Sequence, residues 1–178
     1  MKYNVENLRN ICLLGHGGDG KTSLAEALLY YTDGTDRMGK TADGNTVCDY
    51  DPEEIARKIS ISSAIAPIER NGVKLNIIDT PGQFDFSASV SEGFRAAGSS
   101  VIVISGKSGV SVGAQKAFDA ASKKGIAKIF FINKTVRGKT ESFNSLIVRK
   151  FSNFKGRIFA VAIGCMSVKI CLYHGTYR

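Results

Sequence analysis

The sequence predicts a three-layer α/β fold around a mostly parallel β-sheet, with one antiparallel hairpin at the edge of the sheet. Short apolar segments of strand character alternate with longer segments of helical character, which is typical of parallel sheets covered by helices. A glycine-rich loop joins the first strand to the first helix, and two further polar motifs directly follow later strands. Ligands of such sheets bind at the carboxyl ends of the strands, so we expect the three motifs to share one crevice.

The chain opens with a strand, a helix and a long loop. Residues 10–14 form a short apolar strand, and residues 23–30 have good intrinsic helix propensity. Residues 32–59 are rich in Gly, Asp and Thr and show little periodicity. A compact domain rarely carries a loop of this length unless the loop is functional or disordered.

A β-hairpin is predicted next. Residues 59–62 alternate between apolar and polar, and residues 64–69 continue as a strand. Asn71 and Gly72 both tolerate positive φ, so this pair is a strong turn signal. The returning strand covers residues 74–78 and leads directly into a polar turn.

The following elements alternate between helix and strand. Residues 87–97 are predicted to be helical, and residues 100–104 form a continuous apolar strand of the kind buried on both faces. Residues 112–124 have the pattern of an amphipathic helix that Gly125 can terminate. A further buried strand at residues 128–132 leads into the last polar motif.

The glycine-rich segment at residues 15–22 fits G-x-x-x-x-G-K-[ST], the pattern of a phosphate-binding loop. Backbone N–H groups of such a loop converge on phosphate oxygens, and the dipole of the following helix adds to the field. Lys21 is expected to reach the β- and γ-phosphates and assist catalysis, and the Thr22 hydroxyl is expected to ligate Mg²⁺. A chance match by a glycine-rich turn is the alternative, which the flanking strand and helix disfavour. The nucleotide-binding residues predicted here are Gly15, His16, Gly17, Gly18, Asp19, Gly20, Lys21, Thr22 and Ser23, with His16 in a structural role.

The second motif, Asp79-Thr80-Pro81-Gly82, has the form D-x-x-G. In a phosphate-loop fold, the Asp79 carboxylate can hold Mg²⁺ through a water molecule, and the Gly82 N–H can sense the γ-phosphate. Gln83 follows directly and is predicted to be catalytic, because a glutamine beside the γ-phosphate can orient the attacking water. A plain turn with a solvated amide is the alternative.

Ser60 is a candidate third ligand of Mg²⁺. It lies where the long loop enters the predicted strand, so its hydroxyl could complete the metal shell in the triphosphate state. A polar strand residue is an equally good interpretation of this position.

The third motif, Asn133-Lys134, begins the pattern N-K-x-D, in which Asn supports the phosphate loop, Lys packs across the base and Asp reads guanine. Val136 occupies the Asp position. The loss of a bidentate charged contact costs about 2–4 kcal/mol, which corresponds to about 10²- to 10³-fold in guanine affinity. Asn133 and Lys134 are predicted to bind nucleotide, but the base-reading element is incomplete.

Charge divides the chain into two parts. Residues 1–134 hold 16 Lys and Arg against 15 Asp and Glu, whereas residues 135–178 hold 8 against one. We therefore separate a core domain at 1–134 from a basic C-terminal segment at 135–178, which could contact RNA or another polyanion.

Composition predicts a cytoplasmic protein. The N-terminus lacks the apolar run of a secretory signal. No segment reaches the roughly twenty apolar residues of a membrane helix. The four cysteines lack metal-type spacing and are expected to be reduced thiols. We expect no membrane partner.

Taken together, the motifs resemble those of the translational GTPases, above all the nucleotide-binding domains of the elongation factor G type. The resemblance covers about residues 5–134. It rests on GHGGDGKTSL at 15–24, DGNT at 43–46 with Asp49, RKISI at 57–61, DTPGQFDF at 79–86 and FINK at 131–134.

This resemblance implies a P-loop NTPase fold that binds GTP and GDP, requires Mg²⁺ and hydrolyses GTP in ribosomal work. It implies a first switch segment at residues 32–60 and a second that begins at Thr80. The expected partners are the ribosome and guanine nucleotide, with no DNA partner and a monomeric chain. Ser60 replaces the family's usual threonine and Gln83 its usual histidine; both keep the needed chemistry, whereas Val136 does not.

The resemblance fades beyond Lys134, where the charge balance also changes. We therefore expect a truncated domain whose residues from about 135 are an out-of-frame or aberrant continuation, with a genuine basic tail as the alternative. Three functions stay open: a GTPase domain, a non-catalytic nucleotide- or ribosome-binding fragment, and a nucleoside triphosphatase with relaxed base specificity.

Overall fold

The computed structural model describes residues 3–135 with their side chains, apart from that of Thr135, and the backbone of two strands at residues 158–164 and 167–173. Val136 and the remainder of the basic C-terminal segment lie outside the described residues. The helices are α1 (Lys21–Tyr31), α2 (Pro52–Arg57), α3 (Ser87–Ala96) and α4 (Val112–Lys124). The strands are β1 (Leu8–Leu14), β2 (Ala64–Arg70), β3 (Val73–Asp79), β4 (Ser99–Ser105), β5 (Ala127–Thr135), β6 (Ile158–Gly164) and β7 (Ser167–Tyr173).

The described strands form one sheet in the order β2-β3-β1-β4-β5-β6-β7. Strand β1 lies between β3 and β4 and runs parallel to both, and β4, β5 and β6 are also parallel neighbours. The β2–β3 hairpin at one edge is antiparallel, and its turn residues Asn71 and Gly72 have φ of 52° and 75°. The predicted α/β class and its edge hairpin are confirmed.

A second antiparallel pair, β6 and β7, was not predicted. Strands β6 and β7 pair antiparallel and extend the sheet beyond β5. Residues 158–173 are mostly apolar, and periodicity alone does not separate two short strands from one apolar segment in such a stretch.

Two clusters of buried side chains cover the two faces of the sheet. Alternate residues of a strand point to opposite faces, and β1 accordingly contributes Cys12 and Leu14 to one cluster and Leu13 to the other. The first cluster includes Ala114 and Phe118 of α4, while the second includes Ala25 and Leu29 of α1. Helices on both faces give the predicted three layers. The β1–α1 turn lies at the carboxyl end of the interior strand β1.

The long loop contains a helix that the sequence analysis missed. Helix α2 begins with a capping box between Asp51 and Glu54 and has proline at its start, and these signals are visible in the sequence. The predicted strand at residues 59–62 is absent, because the N–H groups of Ile61 and Ser62 donate to the Glu54 carboxylate at 2.8 Å and 3.0 Å. Donors bound to a side chain are not available to a neighbouring strand.

Within the part of the chain that the structure describes, no helix has the length and apolar character needed to cross a membrane.

Candidate nucleotide-binding site

The phosphate loop forms the turn between β1 and α1, as predicted. Gly20 caps the N-terminus of α1 with a φ of 98°, a conformation that residues with a side chain rarely adopt. A Cβ atom there would also collide with the side-chain amide of Asn133. The carboxylate of Asp19 is buried and accepts a 3.0 Å hydrogen bond from the backbone N–H of His16. The loop conformation therefore depends on glycine at position 20.

Lys21 reaches back over the phosphate loop. Its side chain is only 6% exposed, and its Nζ atom donates to the carbonyls of Gly15 at 3.3 Å and His16 at 3.0 Å. Burial lowers the pKa of Lys21, while the nearby carboxylates of Asp79 and Asp19 act in the opposite direction. The ammonium is therefore held among loop carbonyls and acidic side chains at the position where phosphate charge is expected.

Asp79 ends β3 as a buried carboxylate, 2% exposed. Neither of its oxygens has a hydrogen-bond partner. Burial raises the pKa of Asp79 from 3.8 to about 6, although the neighbouring Thr22 hydroxyl and Lys21 ammonium oppose the rise. Buried carboxylates without a partner are rare in proteins, and oxygen ligands of this type suit Mg²⁺. The unsatisfied acceptor therefore fits the predicted role beside a metal ion.

Thr22 and Ser60 meet at the same place, although 38 residues separate them. Their hydroxyl oxygens lie 3.1 Å apart. The Ser60 hydroxyl also donates a 2.7 Å hydrogen bond to the Asp49 carboxylate. The predicted metal-binding hydroxyls of α1 and the first switch segment are therefore adjacent. Asp49 belongs to the motifs of the resemblance, but the sequence indicated no role for it.

The second switch segment lies directly on the phosphate loop. The carbonyl of Gly82 accepts a 3.0 Å hydrogen bond from the N–H of Gly17, and a Cβ atom on Gly82 would lie 2.5 Å from both that nitrogen and Lys21 Nζ. Gln83 is exposed, and its side-chain amide lies close to Gly17. A Cβ atom on Gly17 would be only 2.9 Å from Gln83 Nε2. The D-x-x-G motif and the predicted water-orienting amide thus reach the loop.

The end of β5 supports the loop from the other side. The Asn133 amide donates to the carbonyl of Asp19 at 3.0 Å, and Lys134 Nζ donates to the carbonyl of Gly18 at 2.6 Å. Lys134 has a φ of 54°, and its N–H donates to Asn133 Oδ1 at 2.8 Å. The Asn133 contact agrees with the predicted support of the phosphate loop, whereas the packing of Lys134 across a base stays a prediction.

The ring of His16 packs against an aromatic side chain of the second switch segment. Its ring lies 5.6 Å from that of Phe84 at an angle of 48°, and its buried Nδ1 atom has no hydrogen-bond partner. This environment agrees with the structural role expected for His16.

A cavity of about 200 Å³ opens between the loop and the two switch segments. The predicted residues on its wall are Gly17, Gly18, Gly20, Lys21, Thr22, Ser23, Ser60, Gly82, Gln83 and Lys134. Gly15, His16, Asp19, Asp79 and Asn133 are not on the wall of this cavity. Thr41, Lys58 and Ile59 line the cavity without having been predicted, because the long loop carries no local signal for which residues return to the site.

The sequence profile of one family, described as the elongation factor Tu GTP binding domain, matches residues 6–166 of the chain. This match continues beyond Lys134, where the sequence analysis divided the chain, and the division stays a prediction.

Relatives of known name are translation factors. Elongation factor G of Dehalococcoides mccartyi is 41% identical over 136 residues, which are 76% of this chain and 20% of the relative. Elongation factor G of Granulibacter bethesdensis is 34% identical over 160 residues, 90% of this chain and 22% of the relative. The mitochondrial ribosome-releasing factor 2 of Scheffersomyces stipitis is 39% identical over 133 residues, 75% of this chain and 16% of the relative. The chain thus spans about a fifth of the length of these proteins.

Solved structures share the fold. A crystal structure of a protein from Thermus thermophilus superposes with a TM-score of 0.75 at 31% identity, covering 82% of this chain and 22% of that one. A bacterial selenocysteine-specific elongation factor gives a TM-score of 0.68 at 22% identity, covering 91% and 26%. The chain belongs to the family of elongation factor Tu GTP-binding domains, and within it to the elongation-factor-G-like translation factors.

Proposed function

We propose that this domain hydrolyses GTP with the help of Mg²⁺ and that, as part of an elongation-factor-G-like protein, it couples hydrolysis to work on the ribosome in the cytoplasm. The observation that carries the proposal is the 3.1 Å approach of the Thr22 and Ser60 hydroxyls beside the unpartnered carboxylate of Asp79. The names of the relatives support the ribosome as the partner.

Thr22 and Ser60 would hold Mg²⁺ directly, and Asp79 would hold it through a water molecule. Two hydroxyl oxygens and a buried carboxylate form a hard oxygen donor set that suits this ion. The ion, when bound, neutralises charge that develops on the phosphates. Lys21 would add a second positive charge, for which it must exchange its carbonyl partners at Gly15 and His16 for phosphate oxygens.

Gln83 would orient the attacking water. Its side chain lies over Gly17 of the phosphate loop and on the wall of the cavity, so an amide at this position can contact a water molecule beside the γ-phosphate. The cavity wall, within the described residues, includes no arginine. Since an arginine supplied to the site accelerates GTP hydrolysis about 10³- to 10⁵-fold, we expect slow intrinsic turnover of about 10⁻³ s⁻¹ or below.

The test is a single-turnover hydrolysis assay on the purified chain with GTP and excess Mg²⁺. We expect Lys21→Ala to abolish GTP binding and Gln83→Ala to lower the rate at least tenfold while GTP affinity stays within a factor of two. Gln115→Ala is the matched control, because Gln115 is a half-buried glutamine of α4 whose amide donates a hydrogen bond to Asp119 and which is not on the cavity wall. If the wild-type chain binds GTP but does not hydrolyse it faster than the Lys21→Ala variant, the domain is a non-catalytic nucleotide-binding domain.

A second candidate is a nucleoside triphosphatase with relaxed base specificity. Val136 at the guanine-reading position favours it, since valine accepts no hydrogen bond from guanine. Titration with GTP and ATP separates the two: tight GTP and weak ATP binding supports the GTPase, and comparable affinities support the second candidate.

A further inference from the structure

Asp49 lies behind the candidate metal site, buried in the first switch segment and 4% exposed. One of its carboxylate oxygens accepts a 2.7 Å hydrogen bond from the Ser60 hydroxyl, and the other accepts from the Thr46 hydroxyl at 3.3 Å. The N–H of Asp49 donates back to Thr46 Oγ1 at 3.2 Å. Both carboxylate oxygens and the backbone are thus engaged, so the orientation of the carboxylate is fixed.

The bond to Asp49 engages the only proton of the Ser60 hydroxyl. A hydroxyl group has one proton and two acceptor lone pairs, and the single proton of Ser60 is directed to Asp49. In its 3.1 Å contact with Thr22, the Ser60 oxygen therefore has no proton left to donate. The lone pairs of this oxygen stay available, and lone pairs are what a metal ligand offers.

The segment that carries Asp49 is itself attached to α1. The buried carboxylate of Glu26 accepts hydrogen bonds from the N–H groups of Val47 at 2.7 Å, Cys48 at 3.3 Å and Gly39 at 3.1 Å. Glu26 lies one helical turn after Thr22, so the two side chains share a face of the helix. The contacts close a ring from Thr22 through Glu26, the loop, Asp49 and Ser60 back to Thr22.

We propose that Asp49 is a positioning residue, which holds the proton of the Ser60 hydroxyl so that its oxygen is presented to Mg²⁺ in the triphosphate state. This inference rests on the proposed function, because it takes Ser60 as a metal ligand. Groups that orient metal ligands from behind contribute about 10- to 100-fold to metal affinity. Asp49 should act only through Ser60 and should leave the diphosphate state, in which Ser60 is not needed, unchanged.

The experiment measures the Mg²⁺ concentration that gives half-maximal binding of a fluorescent, non-hydrolysable GTP analogue to the full chain. We expect Asp49→Ala to raise this concentration about tenfold and Asp49→Asn, which keeps one neutral acceptor oxygen, to raise it less. The Mg²⁺ dependence of GDP binding should not change. Asp36→Ala is the matched control, since it removes the same charge from an exposed position of the same loop.

The double variant separates positioning from general loop stability. In a Ser60→Ala background, Asp49→Ala should produce no further shift in Mg²⁺ dependence, because the hydroxyl it orients is absent. An equal shift in both backgrounds, or an Asp49→Ala protein that binds Mg²⁺ like the wild type, would overturn the inference. A Ser60→Ala protein with unchanged Mg²⁺ dependence would overturn the metal role of Ser60 as well. If Asp49→Ala does not fold, as judged by circular dichroism, Asp49→Asn provides the same comparison.

Discussion

The side-chain amide of Asn133 donates a 3.0 Å hydrogen bond to the backbone carbonyl of Asp19, which lies 114 residues earlier in the chain. This bond connects the end of β5 to the phosphate loop. It requires the loop to approach the amide closely, and only glycine at position 20 leaves the space. The Asn133-Lys134 motif and the phosphate loop are therefore directly coupled.

We expect Asn133→Ala to weaken the binding of GDP and GTP equally. The substitution removes one neutral hydrogen bond that holds the loop, worth about 1 kcal/mol or about fivefold in affinity. Fluorescence titration with both nucleotides measures the effect. Asn76→Ala is the control, because Asn76 makes a similar 2.8 Å bond to Asn10 between β3 and β1; loss of affinity in both variants would contradict the proposed coupling.

Glu26→Ala should release the first switch segment from α1. The substitution leaves the three N–H donors of Gly39, Val47 and Cys48 without their acceptor, and we expect the free energy of unfolding to fall by about 3 kcal/mol. Trypsin should cleave the variant faster after Arg37 and Lys40, as mass spectrometry of the first fragments would reveal. Glu92→Ala on the exposed surface of α3 should change neither quantity.

Replacement of Asp79 should show that the buried carboxylate lowers the free energy of unfolding as the pH rises. In the nucleotide-free, metal-free protein its pKa rises from 3.8 to about 6, so between these values the folded state keeps a proton that the unfolded state has lost. Stability from this group is therefore full below pH 4 and is lost as the pH rises to about 6. Asp79→Asn should gain stability relative to wild type over that interval, by about 3 kcal/mol in total. Urea unfolding in EDTA at several pH values measures the difference, and a constant difference would contradict the shifted pKa.

Val136→Asp should sharpen the preference for guanine. A carboxylate at this position completes N-K-x-D, and a bidentate charged contact is worth about 10²- to 10³-fold in affinity. Competition between GTP and ATP for a fluorescent GDP analogue measures the ratio of affinities. Val136→Asn serves as the control, since it adds a polar side chain of similar size without the charge. Unchanged selectivity in Val136→Asp would show that this position does not contact the base.

Most of the fold could be predicted from local patterns, because apolar strands, Asn71-Gly72 and the phosphate loop each carry their own signal. The three motifs could be assigned to the carboxyl ends of the parallel strands for the same reason. The path of residues 32–63 could not be predicted, because contacts between distant residues determine it. Glu26 and Glu54 hold this path through backbone N–H groups, and a glutamate in a helix has no pattern that distinguishes a buried anchor from an exposed charge.

The hydrogen bond from the Gly17 N–H to the carbonyl of Gly82 occupies a donor of the phosphate loop with the second switch segment. Backbone N–H groups of a phosphate-binding loop converge on phosphate oxygens, so we expect nucleotide to displace this hydrogen bond and the second switch segment to withdraw. Apparent affinity is then the intrinsic affinity reduced by the fraction of molecules already open. The observed rate of nucleotide association should consequently level off at high nucleotide concentration, at the rate of opening, and stopped-flow fluorescence would detect that plateau.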